Sequence, residues 1–178
     1  MARRSRARSG TFFLRKEQDT NGTTFAEGSI DVSSFVNVLQ GELLRVKQCW
    51  FSWTSDNGSS VQGADLGASK GCSAIACVTT EQIDSVKGFT AISLLGKNTL
   101  YAHTDANTDI DMITNETSVN PVDFDDGYLV ATDSIHLGVN QSADSFANNI
   151  RCSIMLECEI VKLSLTDAQA VLVSQTVG

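Results

Sequence analysis

From Ile150 to Lys162 the chain alternates. Ile150, Cys152, Ile154, Leu156, Cys158 and Ile160 share one parity, while Arg151, Ser153, Glu157 and Glu159 take the other. A period of two over this length marks a strand with one buried and one wet face, as in an antiparallel sheet. Leu43–Thr54 carries a second strong strand pattern, but its parity slips. Leu44 and Val46 lie on one face, then Cys49, Phe51 and Trp53 on the other. One extra residue near Gln48, a β-bulge, restores a single inward face. Trp50 and Trp53 are three apart and so point to opposite faces, one to the core, the other to a partner surface or a base.

Weaker patterns fill the rest. Thr11–Gln18 reads as a first strand, with a turn at Asp19–Gly22. Ile30–Leu39 is apolar but mixed in period, a strand or a short helix, and Gly41 breaks it. Residues 55–71 form a polar loop, and Ser73–Val78 a short buried strand. Thr79-Thr-Glu-Gln82 matches a capping box with Gly88 as a stop, which predicts one short helix. Phe89–Leu95 and Thr99–His103 read as strands around a turn at Gly96-Lys-Asn98. Residues 104–126 form a long acidic connection. Tyr128–Val139 returns to strand, a polar turn runs through Asn148, and Thr166–Thr176 is a strand or a short helix. About eight strands, few helices and no internal repeat predict an all-β sandwich or barrel, the sandwich being antiparallel and eight-stranded.

Composition adds bounds. The chain has 178 residues, 42% apolar and 19% charged, enough for one domain with its own core. Pro121 is the sole proline, so turns rely on Gly, Asn, Asp and Ser. No run of about 18 apolar residues exists, and no membrane span is expected. The apolar piece after the basic start, Phe12-Phe-Leu14, is too short for a secretory signal. Five cysteines, an odd number with no CxxC pair, point to reduced thiols in a cytosolic compartment. Cys152 and Cys158 are core residues on their strand parity.

Charge is divided along the chain. The net charge is −8, yet residues 1–16 hold Arg3, Arg4, Arg6, Arg8, Arg15 and Lys16 and no acid, a local +6. The remainder has 7 basic and 21 acidic groups, a net −14. Guanidinium groups bind phosphate oxygens two at a time, and each neutralised phosphate releases counterions. Residues 1–10 are therefore expected to be a nucleic-acid-binding arm, followed by a sandwich over 11–178. The plainer readings of such a cluster are a solvated tail, a localisation signal or an organelle transit peptide.

Candidate chemical sites are few. Asp105, Asn107, Asp109, Asp111 and Glu116 fall at positions 1, 3, 5, 7 and 12 of a calcium-loop frame. Position 6, which should be glycine, is Ile110, and flanking helices are missing, so a solvated acidic loop is the simpler reading. Asp123, Asp125 and Asp126 form a second acidic cluster that could join the first across a subunit boundary. His103 and His136 are the only histidines, and neither lies near a nucleophile elbow. Gly63, Gly67 and Gly71 lack the Lys-Ser/Thr of a phosphate loop. No catalytic residue is assigned and no enzyme is expected. No cofactor is expected beyond the calcium candidate.

Three stretches carry a family resemblance: Gly10-Thr-Phe-Phe-Leu-Arg15, Ile30-Asp-Val-Ser-Ser-Phe35, and Leu43-Leu-Arg-Val-Lys-Gln-Cys-Trp-Phe-Ser-Trp53. Together they resemble the start of circovirus-like capsid proteins, in which a basic arm feeds a first strand and a basic-aromatic strand follows. Glu159-Ile-Val-Lys-Leu163 looks like a last capsid strand. The resemblance implies a single jelly roll that self-assembles into an icosahedral virion inside a host cell. It also implies an inward arm on genomic DNA or RNA, and an outer surface open to a host receptor. The alternative is a non-viral β-sandwich binding module with a basic localisation tail.

Overall fold

The computed structural model describes residues 6–142 and 146–176. In chain order the elements are β1 (Arg6–Ala7), β2 (Phe12–Asp19), β3 (Ala26–Asp31), β4 (Glu42–Ser55), α1 (Gly63–Leu66), β5 (Gly71–Thr79), β6 (Leu94–Thr104), β7 (Ile110–Val119), β8 (Tyr128–Val130), β9 (Ser134–Gln141), β10 (Ile150–Lys162) and α2 (Leu165–Thr176). Single 3-10 turns stand at Val38–Gln40 and Pro121–Asp123.

All the sheet pairings are antiparallel. β10 lies between β4 on one side and β2 on the other, with β1 continuing the β2 edge and β8 closing the far side of β4. The second sheet runs β3-β9-β5-β6-β7. With β1 and β7 set aside, eight strands remain. They pair first with eighth (β2–β10), second with seventh (β3–β9), third with sixth (β4–β8) and fourth with fifth (β5–β6). That is one long hairpin. The β10–β4 and β9–β5 pairings then lay its turns side by side as two sheets.

The core is the space between the sheets. Ile150, Cys152, Ile154, Leu156 and Cys158 of β10 are buried there with Leu44, Val46, Cys49 and Trp53 of β4 and Ile135, Leu137 and Val139 of β9. The bulge forms as the parity required. Glu157 pairs with Gln48 and Cys158 with Val46, so Lys47 is the extra residue. Trp53 turns inward and its indole N–H donates to Asn98 Oδ1 at 2.7 Å. All five cysteines are free and buried. Burial pushes the Cys158 thiol up to about 12 and raises those of Cys49, Cys77 and Cys152, so these four are packing groups with little thiolate.

Two smaller clusters cover the sandwich from outside. α2 lies over Leu43 and Val161 through Ala168, Val171 and Leu172. Its buried Gln175 receives the Ala131 N–H at 3.0 Å and donates to the Leu129 carbonyl, which covers the β8 edge. On the second sheet, residues 80–93 fold back so that Ile83 packs on Cys77 and Leu94.

That segment is irregular where a helix was expected. Thr79 ends β5, and its hydroxyl donates to the Glu81 carbonyl at 2.8 Å rather than capping a turn. The Glu81 carboxylate accepts the Ser93 hydroxyl at 2.7 Å, and the Ile83 N–H donates to Glu27 Oε1 at 2.9 Å. Tertiary partners take the groups that a capping box needs. β6 runs without a break through the expected turn at Gly96–Asn98. Asn98 is needed as the buried partner of Trp53, and a Cβ on Gly96 would stand 3.2 Å from the Phe51 ring. Tyr128–Val139 is divided by a turn into β8 and β9, and the C-terminal segment is helical. The acidic connection contains a complete strand, β7.

Candidate nucleic-acid and assembly surfaces

From Arg6 onward the basic segment runs along the outer edge of the first sheet, beside β10. Arg3 and Arg4 lie outside the described residues. The backbone of Arg6 and Ala7 pairs with Lys162 and Val161, and the Arg8 N–H donates to the Ile160 carbonyl at 2.8 Å. The segment therefore enters the sheet at Arg6, within the expected arm of residues 1–10. Arg8 pairs with Glu42. Arg15 is exposed on the outer face of β2, opposite Met155. Lys16 has the other parity and lies half-buried against β3, where a Cβ on Gly28 would meet its Cε at 2.6 Å. So Arg8 and Arg15 share the surface, and Lys16 serves the seam between the sheets.

The outer face of the first sheet is mixed. Trp50 is 37% exposed whereas Trp53 is 9% exposed, so Trp50 is the outward ring. Phe13 packs on it with ring centroids 6.3 Å apart. Met155 pairs with both Arg15 and Trp50, and this places the aromatic pair beside a cation. Around them the charges are matched. Lys47 binds Glu157 at 2.9 Å and has its affinity for protons raised by that carboxylate. Arg151 binds Asp19 at 2.6 and 3.0 Å, holding the Asp19 carboxyl below its ordinary value. Arg45 is 7% exposed and is held by Glu159, at 2.6 Å from its Nε, and by Asp126. Arg15 alone of these faces no acid among the described ion pairs.

A second apolar area lies between the 80–93 segment and the loop before β8. It is a hollow of about 730 Å³ lined by Phe89, Ile92, Phe124 and Tyr128, with Asp123 and Asp125 on its rim. Phe89 and Ile92 are largely exposed. No sequence period singled this area out: Phe89, Ile92 and Phe124 lie in irregular segments, and Tyr128 opens β8.

The acidic hairpin is not gathered into a site. Asp105 Oδ1 accepts the N–H groups of Asn107, at 2.8 Å, and Asp109, at 2.9 Å, shaping the β6–β7 turn. Asp111 is bonded to His103 at 2.8 Å, and Glu116 lies farther along β7, opposite Thr99. Among the described residues no group of three His, Cys, Asp or Glu side chains is placed to hold a metal ion. The carboxylate with real structural work is Asp65, which the sequence did not mark. It is buried and accepts from the Ser55 hydroxyl at 2.6 Å, the Gln62 N–H at 2.9 Å and Asn148 at 3.3 Å. Burial raises its pKa, but these three donors outweigh burial and leave it lowered.

His136 has one arrangement with catalytic form. Ser134 Oγ is 2.8 Å from its Nε2, and Glu27 Oε1 is 3.2 Å from its Nδ1. The Nδ1 contact misses hydrogen-bond geometry, and Glu27 Oε1 is already taken by the Ile83 N–H. These residues line neither the hollow beside Phe89 nor any of four smaller surface cavities. The trio is a packed polar seam under the 80–93 segment. No helix in the described residues is long and apolar enough to cross a membrane.

The sequence matches no protein-family model and no curated protein. Solved structures similar to the chain include one of turnip yellow mosaic virus, at 13% identity and TM-score 0.37, covering 86% of this chain and 93% of that one. Another is VP1 of Trichodysplasia spinulosa-associated polyomavirus with sialylated glycooligomers, at 7% identity and TM-score 0.43, covering 88% and 98%. A third is desmodium yellow mottle tymovirus, at 11% identity and TM-score 0.31, covering 86% and 89%.

Proposed function

We propose that this chain is a capsid subunit, a single jelly roll whose copies close into an icosahedral shell around a nucleic-acid genome. The observation that carries the reading is the division of charge. Residues 1–16 carry +6 and run into the edge of the first sheet, while the rest of the chain carries net −14, so a polyanion is attracted at one place and repelled elsewhere. A short arm of this kind binds phosphate weakly alone and strongly when many copies present it together. The rolled-hairpin pairing supports the jelly-roll assignment, since that architecture is two packed sheets wound from two Greek keys. The separate exposed apolar areas, at Phe13–Trp50 and at Phe89–Ile92, support contact with neighbours, because large exposed apolar patches mark interaction surfaces.

Arg3, Arg4 and Arg6 are the proposed genome contacts, with Arg15 beside the aromatic pair as the contact on the body. Arg8 joins them when nucleic acid displaces Glu42. The shell would carry its receptor contacts on the face away from the arm. Sedimentation of the purified chain and of a variant lacking residues 2–8, each after nuclease treatment, tests the proposal. Fast-sedimenting particles with protected nucleic acid are expected for the full chain, and loss of the protected nucleic acid for the variant. Equal nucleic-acid content in both would remove the arm's role.

A further inference from the structure

Ser9 stands where the basic segment joins the body. Its hydroxyl accepts the Ile160 N–H at 2.8 Å, beside the Arg8 N–H, which donates to the Ile160 carbonyl at 2.8 Å. β1 is two residues long and pairs with β10 alone. A Cβ on Gly10, the next residue, would meet nothing within 4 Å. A short terminal strand held along one edge opens locally at little cost. The segment is therefore an extended peptide that can leave β10 without disturbing the core. Arginines precede Ser9 by one, three, five and six residues, as Arg8, Arg6, Arg4 and Arg3. No other serine or threonine follows so many within six residues: Ser5 has Arg3 and Arg4, and Thr11 has Arg6 and Arg8.

We propose that Ser9 is a phosphorylation site, modified by an arginine-directed serine/threonine kinase that uses a nucleoside triphosphate. An acidic substrate cleft selects such a sequence by charge. In the transfer, Ser9 Oγ bonds to the γ-phosphorus and the bond from that phosphorus to the β,γ-bridging oxygen breaks. The nucleoside diphosphate leaves, and the hydroxyl proton passes to the catalytic aspartate of the kinase. Ser9 is half-buried and its hydroxyl is engaged while β1 is paired, so the transfer takes place on chains whose arm has left β10. The consequence is electrical. A phosphoserine carries about −1.5 to −2 at pH 7, so the +6 of residues 1–16 falls to about +4. Phosphorylation releases polybasic segments from anionic surfaces in this way. The inference deepens the reading of the arm as a genome contact and rests on it for what the phosphate regulates.

The purified full chain, treated with the catalytic subunit of cyclic-AMP-dependent protein kinase and magnesium ATP, tests the site by mass spectrometry. A single phosphate on Ser9 is expected, and its loss in Ser9→Ala. Phosphate mainly on Ser5 or Thr11, or none at all, would overturn the site. Fluorescence anisotropy with a labelled single-stranded oligonucleotide, over a range of salt concentrations, tests the regulation. Against log salt, the log affinity of the phosphorylated chain should fall less steeply than that of the unmodified chain, by about 1–2 in slope. Equal slopes and affinities would overturn the regulatory role. An unmodified chain that does not bind the oligonucleotide, yet takes phosphate on Ser9, would keep the site and remove the arm's genome contact.

Discussion

β10 and β7 are both long antiparallel strands, and they differ in what surrounds them. β10 is paired on both edges, buries one face in the core and turns the other to charged partners. β7 is paired on one edge and buries neither face over residues 111–117. The first writes its position into the sequence as strict alternation, because burial selects apolar side chains at every second residue. The second carries no alternation, because nothing selects between its faces. A strand can thus be as regular in backbone as its neighbour and leave no period in the sequence.

If that contrast is sound, equivalent substitutions should cost very different amounts. The largest difference is expected between a nearly buried ion pair and an exposed hydrogen bond. Arg45→Ala strands Glu159 in a nearly buried position and should destabilise by about 3–5 kcal/mol. Asp111→Ala breaks the exposed pair with His103 and should cost less than about 1 kcal/mol. Denaturant titration of each variant measures the two. Next, Leu156→Ala in β10 should cost about 2–5 kcal/mol by leaving a cavity. Ile113→Ala in the isolated subunit should stay within about 0.5 kcal/mol. Equal costs at the two positions would place β7 in the core and break the comparison.

The smallest effect concerns acid. Asp65 has its pKa lowered below 3.8 in the folded chain, so its hydrogen bonds add stability above that value and lose it as pH falls through the folded value. Asp65→Asn should lower stability at pH 7 by about 1–3 kcal/mol. It should also flatten the drop in melting temperature below about pH 4. An unchanged slope would mean that the carboxylate does not anchor the 55–71 loop.

The same physics explains what the sequence made legible. The two-layer β architecture, the bulge beside Gln48 and the opposed faces of Trp50 and Trp53 all follow from parity, and parity is set by burial. The errors fall where long-range partners decide. Thr79 and Glu81 have the spacing of a helix cap, but Ser93, Glu27 and the β5 pairing claim that segment. Gly96-Lys-Asn98 has turn composition, but Asn98 is wanted inside by Trp53. Asp105 to Glu116 has calcium spacing on paper; in the structure Asp105, Asn107 and Asp109 share the β6–β7 turn, while Glu116 lies farther along β7. Asp65 went unmarked because its three donors lie on β4, on α1's leading residue and at Asn148. The basic arm was legible as charge, but its entry into the sheet beside Lys162 was not, since Arg6–Ala7 has no apolar signal of its own.

Negative-stain electron microscopy of the purified full chain tests the central claim most directly. Closed, uniform particles built from many copies are expected, emptied of nucleic acid when residues 2–8 are removed. A chain that stays monomeric at every salt concentration, with and without added nucleic acid, would contradict the account.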